Sequence, residues 1–298
     1  MSQTTKATIA ALLGYSIFGF SSLFSKLGLS VASPLVMISV RFLTAFLTLN
    51  ILLLAGVIKL SLSGKPVVKL LLFGFVYPVL YFILEAYGIS MSTVAFSGLM
   101  IGLSPVIGLV FGVLFLKERC TWLQAICSVL SVVGVAMTGT GGRGNISLSS
   151  FLILLATAVC AALFPILSRS TADQFSAYER TYVMIGMGSV VFPILALFQN
   201  RSNLQAVTAP LSSGLFWIAV VYLAVLSSVG AFLLINYSLN HITAGRTLIY
   251  SNFTTVISVL AGIFILGDQF SLLQLIGIGI ITLSVFGVSC QQSPSKQS

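Results

Sequence analysis

Runs of roughly 17–25 apolar residues recur along this chain with almost no charge inside them, and each is long enough to cross a bilayer as a helix. Ten are legible, at approximately 6–28, 34–56, 67–88, 92–116, 121–139, 149–168, 178–198, 213–237, 244–266 and 270–290. Of the 298 residues, 58% are hydrophobic and 6% charged. A water-facing domain carries charge on about a quarter of its residues, so lipid must cover most of this exterior. Transmembrane barrels would show alternating segments of about ten residues, and nothing here alternates that way. The expected fold is an all-α integral membrane protein of ten transmembrane helices.

The formal net charge of +9 is read as orientation, because cytoplasmic loops collect Lys and Arg. With the N-terminus inside, Lys6, Lys59, Lys65, Lys69, Lys117, Arg119, Arg169, Arg180, Arg246 and Lys296 fall on the cytoplasmic side. Lys26, Arg143 and Arg201 fall outside. An even helix number places both termini in the cytoplasm of a multi-pass plasma-membrane protein. No nucleic-acid partner is expected. Cys120, Cys127, Cys160 and Cys290 lack metal-binding spacing and read as small apolar fillers. Neither a metal nor a cofactor is expected. Residues 139–144, GTGGRG, match a dinucleotide fingerprint in letters only, since no strand precedes them.

The chain repeats itself. Residues 87–126 align without a gap on 237–276, an offset of 150, with identities at Tyr87/Tyr237, Thr93/Thr243, Gly112/Gly262 and Gln124/Gln274 among others. Ser25, Lys26 and Ser33 match Ser168, Arg169 and Ser176 at an offset of 143. The organisation is therefore a first five-helix repeat at 1–139, a linker at 140–148, a second repeat at 149–290 and a cytoplasmic tail at 291–298. An odd number of helices per repeat inverts the second half relative to the first. Inverted repeats are typical of secondary transporters, whose sites lie near the midplane between the halves.

Ser104-Pro105 followed by LKERCTWLQ (116–124), and the second copy LGDQFSLLQLIG (266–277), resemble the EamA family of the drug/metabolite transporter superfamily. Ser33-Pro34 and Arg41 on the second helix fit the same pattern. Thr255 stands where the first half has Pro105, Asp268 replaces the usual glutamate, and Cys127 takes a usual glycine position. The resemblance implies a ten-helix carrier that moves small metabolites by alternating access, often outward and often with protons.

Two ionisable residues sit well inside the apolar runs, Arg41 and Glu85. A charge at membrane depth costs roughly 2.5 kcal/mol or more, so such residues face the bundle interior and mark a pathway. Their depths match, which lets them pair across the second and third helices. Tyr77, Tyr81 and Glu85 follow i, i+4, i+8 spacing and form one polar stripe. Asn236, Tyr250, Asn252 and Thr254 are candidates in the second half, with Arg246 snorkelling to the cytoplasmic surface. Gly98, Gly102, Pro105, Gly108 and Gly112 make a stripe of small residues suited to close helix packing, with Pro105 as a hinge.

The expected function is export of a small-molecule substrate, such as an amino acid or an amphipathic compound. One cation and one anion suit a zwitterion. No nucleotide-binding domain is present, so an ion gradient, with protons as the leading candidate, or a substrate gradient must drive it. The bilayer is the other expected partner, and a homodimer is compatible with this reading. An intramembrane lipid-modifying enzyme would need paired catalytic groups at depth, and Glu85 stands alone. A receptor or scaffold leaves the inward polar stripes without a use.

Overall fold

A serine or threonine opens most helices of the computed structural model, which describes residues 2–116, 121–139, 147–242, 244–268 and 271–290. Ser2 accepts from Thr5 N at the start of α1 (Gln3–Leu29), and Pro34 sits in the first turn of α2 (Pro34–Leu54), where its missing N–H costs nothing. The third helix, α3 (Val67–Ser90), contains a π-helical stretch at Phe75–Leu80. Thr93 caps α4, which runs Val94–Ile101 and resumes at Ser104–Leu116. Then follow α5 (Trp122–Gly139), α6 (Leu148–Ser170) and α7 (Ala177–Gln199). A second π-helical stretch, Tyr222–Ala231, lies within α8 (Gly214–His241). The chain closes with α9 (Ala244–Phe264) and α10 (Leu272–Cys290).

Among the described residues, seven helices (α1–α4 and α6–α8) are long and apolar enough to cross a membrane. α5, α9 and α10 are apolar helices of 18, 21 and 19 residues. The exterior is what lipid would cover, for Leu54, Trp122, Phe264, Leu272 and Leu283 are all at least 75% exposed.

The helices are interleaved. α1 lies against α8 and α9, and α6 lies against α3 and α4. α2 pairs with α7, α4 with α9 and α5 with α10, while α3 also meets α7 and α8 meets α2. Small residues set the closest approach. A β-carbon on Gly98 would overlap Ser258, and one on Gly102 would overlap Thr255, so α4 and α9 need glycine there. Gly108 is half-buried further along α4, and the surroundings of Gly112 lie outside the described residues. So do residues 140–146 of the expected linker and the tail at 291–298.

Arg180, read as one of the cytoplasmic-side charges, is held among the helices. Ser176 and Glu179 form a capping box at the start of α7, and Arg180 lies in its first turn facing α6 and α8. Its guanidinium is 0% exposed and donates to Ser168 O, Ser168 Oγ (2.9 Å), Asn236 O (2.7 Å) and Asn240 Oδ1. Glu179 is buried too, and accepts from Lys65 Nζ at 2.7 Å and from Ser61 N at 3.0 Å. Arg41 and Glu85 are therefore not the only ionisable residues held inside the helices.

Candidate functional site

Six helices line an internal chamber of about 60 Å³. Tyr15, Phe18, Ser21 and Ser22 come from α1, Arg41 from α2, and Tyr77, Tyr81, Phe82 and Glu85 from α3. Gly98, Ile101, Gly102 and Ser104 come from α4, Ala161 and Phe164 from α6, and Ser251, Thr254 and Thr255 from α9. These positions cluster near the middle of α1, α3, α6 and α9.

The charged pair is present but open. Arg41 is 1% exposed, and its Nη1 stands 3.9 Å from Glu85 Oε2. Its other nitrogens are committed elsewhere, Nε to Ser228 Oγ at 2.9 Å and Nη2 to Ser227 Oγ at 3.1 Å. The flat guanidinium also lies 4.4 Å from the Phe82 ring centroid, a favourable cation–π distance. Glu85 is held by Tyr81, whose hydroxyl donates to Oε1 at 2.9 Å. Tyr77 stacks obliquely on Tyr81 and Phe164, with centroids 4.3 and 4.4 Å apart.

The Tyr77–Tyr81–Glu85 stripe faces the chamber, but not along a regular helix. Tyr77 has extended backbone angles (φ −144°, ψ 107°) ahead of Pro78, and the helix re-forms beyond it. In the second half only Thr254 reaches the chamber among the four candidates. Asn236 is spent on structure, accepting from Ser168 Oγ at 2.7 Å and donating to Thr181 Oγ1 at 2.9 Å. Tyr250 is half-buried against the main core, and Asn252 is buried outside the chamber lining. Arg246 carries a side chain outside the described set.

Several lining residues escaped the sequence reading. On α9 the missed residues are Ser251, Thr255 and Ser258, small hydroxyls that share one face with Thr254 at i, i+3, i+4 and i+7 spacing. Thr254 donates to Tyr15 O at 2.9 Å and Ser258 to Gly19 O at 2.7 Å, stitching α9 to α1. Tyr15 and Phe18 showed only ordinary helical spacing. Ser227 and Ser228 are adjacent in sequence, and adjacent residues of an α-helix do not face the same way. They reach different nitrogens of Arg41 from within the π-helical stretch.

A bundle of apolar helices folded round an internal chamber with one cation and one carboxylate on its wall is the architecture of a multi-pass membrane transporter. The chain belongs to the EamA-like transporter family, whose sequence profile matches residues 5–140 and 148–290. Uncharacterized transporter YcxC of Bacillus subtilis (strain 168) is 34% identical over 291 residues, covering 96% of this chain and 93% of that protein. Uncharacterized transporter YyaM of the same organism is 27% identical over 290 residues, covering 93% and 92%. A crystal structure at 16% identity superposes with a TM-score of 0.66 over 95% of this chain and 96% of the other, which shows a shared fold. The family and the names of these relatives point to a transporter rather than an enzyme.

Proposed function

We propose that this protein is a secondary transporter of the plasma membrane that exports a small zwitterionic or amphipathic metabolite by alternating access. The observation that carries this reading is the Arg41–Glu85 pair, standing open at 3.9 Å on the chamber wall. In a low-dielectric chamber, net charge is costly. The pair sums to zero, so a zwitterion leaves the occupied site neutral, whereas a lone cation or anion would not. An amino acid meets that condition, and the aromatic wall of Tyr15, Phe18, Tyr77, Tyr81 and Phe164 suits an apolar side chain.

Three features support ten spanning helices in two inverted repeats. Exchanging α1–α5 with α6–α10 maps α1·α9 onto α6·α4, α1·α8 onto α6·α3 and α2·α8 onto α7·α3, and returns α2·α7, α4·α9 and α5·α10 to themselves. Lys26 donates to Ile89 O at 2.9 Å and Arg169 to Leu239 O at 2.7 Å, equivalent bonds at offsets of 143 and 150. The two π-helical stretches also overlap at the offset of 150. Both termini then lie in the cytoplasm, as the loop charges require.

Glu85 is the candidate proton carrier. Purified protein in liposomes loaded with a panel of labelled amino acids and their decarboxylated amines should release a subset of the zwitterions. In Glu85→Gln that release should lose its dependence on a pH gradient while the protein stays folded. Unaltered gradient dependence would rule out the proton role. The break in α4 at Gly102–Leu103, just before Pro105, gives the hinge a place. Pro105→Ala should slow turnover several-fold with little change in KM, and a wild-type rate would remove the hinge.

A further inference from the structure

Arginine and glutamate side chains on neighbouring helices normally close to about 2.7–2.9 Å and often pair through two bonds. Arg41 and Glu85 do not, although both are buried and their helices are in contact. The reason lies on a third helix. Ser228 takes Nε, Ser227 takes Nη2, and Phe82 holds the guanidinium face. Ser21 donates to Ser227 Oγ at 2.8 Å, which leaves that hydroxyl oxygen turned toward Arg41. On the other side Tyr81 fixes Glu85 Oε1. What remains is the Nη1 end of the guanidinium and the second carboxylate oxygen. Among the described residues Nη1 has no hydrogen-bond partner, and Glu85 Oε2 is 3.9 Å away from it.

The two consecutive serines that serve the one guanidinium both fall inside the π-helical stretch Tyr222–Ala231. The device exists in one half. At the offset of 150 the equivalents of Ser227 and Ser228 are Tyr77 and Pro78, and at 143 the equivalent of Arg41 is Met184. We propose that Ser227 and Ser228 are positioning residues that hold Arg41 off Glu85, keeping Nη1 ready for a ligand carboxylate and Oε2 ready for a ligand ammonium. The ligand's identity as a zwitterion rests on the transport reading above. The separation of the pair does not.

Labelling of Glu85 by dicyclohexylcarbodiimide, followed by mass spectrometry on the full-length protein in detergent, tests the separation without any substrate. Glu85→Gln provides the blank for the other carboxylates. A carboxyl held open reacts, and one closed onto a guanidinium does not. Ser227→Ala/Ser228→Ala should slow labelling at least about fivefold, the ratio given by one added hydrogen bond of ordinary strength. Ser227→Thr/Ser228→Thr, which keeps both hydroxyls, should restore it. Should the double alanine variant fail to fold, Ser228→Ala alone frees Nε and should give a smaller slowing of the same sign. Equal labelling in the alanine and wild-type proteins, or an inert Glu85 in the wild type, would overturn the proposal. Flux of a labelled amino acid in liposomes is the second arm. Slowed labelling together with no flux in the wild type would reject the transport reading while leaving the positioning role standing.

Discussion

Arg41→Met is expected to abolish solute flux and to destabilise the protein in detergent by about 3–5 kcal/mol, the usual cost of removing one partner from a buried ion pair. Arg41 is 1% exposed and Glu85 is 7% exposed, so the stranded carboxylate has no water to turn to. Ser227 and Ser228 lose their cationic donor in the same step. Adding Glu85→Gln should recover most of the stability, because a neutral pair of similar volume leaves no charge behind. It should not recover flux. Thermal unfolding of the single and double variants, run beside liposome transport, separates the two roles. Wild-type flux in Arg41→Met would show that Arg41 is not the substrate cation. A stability loss that persists in the double variant would assign it to the serine and Phe82 contacts instead.

Arg180→Leu should be comparably destabilising, for a different reason, and should leave substrate affinity alone. Among the described residues Arg180 has no carboxylate partner; it is held by Ser168 O and Oγ, Asn236 O and Asn240 Oδ1. Ser168 O belongs to the last turn of α6, where carbonyls lack helical partners and need an outside donor. Charged hydrogen bonds of this kind contribute about 1.5–3 kcal/mol each, so losing the hub should cost several kcal/mol even after the desolvation of the arginine is relieved. Arg180→Lys cannot span both helices with one ammonium and should rescue little. Arg169 donates to Leu239 O at 2.7 Å, and Arg169→Ala should cost about 1–2 kcal/mol. Unfolding midpoints of the three variants check the ranking. A stable Arg180→Leu would mean that apolar packing replaces the hub, as happens at some buried charges. Because Arg180 is not on the chamber wall, KM should stay at its wild-type value in whatever folded protein remains.

Much of the chamber could be read from single helices. Arg41, Glu85, Tyr77, Tyr81 and Thr254 are polar or charged residues in apolar runs, and exposure to lipid was too costly for the charged ones to have any direction but inward. Gly98 and Gly102 were legible for the same reason, since small side chains in a stripe mean close approach whatever the partner. Asn236 obeyed the same rule yet went elsewhere, because the rule says inward and does not say toward which neighbour. Arg180 already lay within the run read at 178–198, but a charge near a helix end can either reach water or turn back among helix ends, and its burial shows that it turns back.

The sequence by itself determined that the chain is a lipid-embedded helical protein, that its halves repeat, and that a cation and a carboxylate lie at matched depth. Composition and period are enough for that, since each follows from the cost of placing polar groups in hydrocarbon. Only the tertiary structure decided that the cation and the carboxylate stand apart. That separation depends on Ser227 and Ser228, nearly 190 residues away along the chain, meeting Arg41 through a π-helical turn. Helical periodicity carries no information about where a helix departs from its own period.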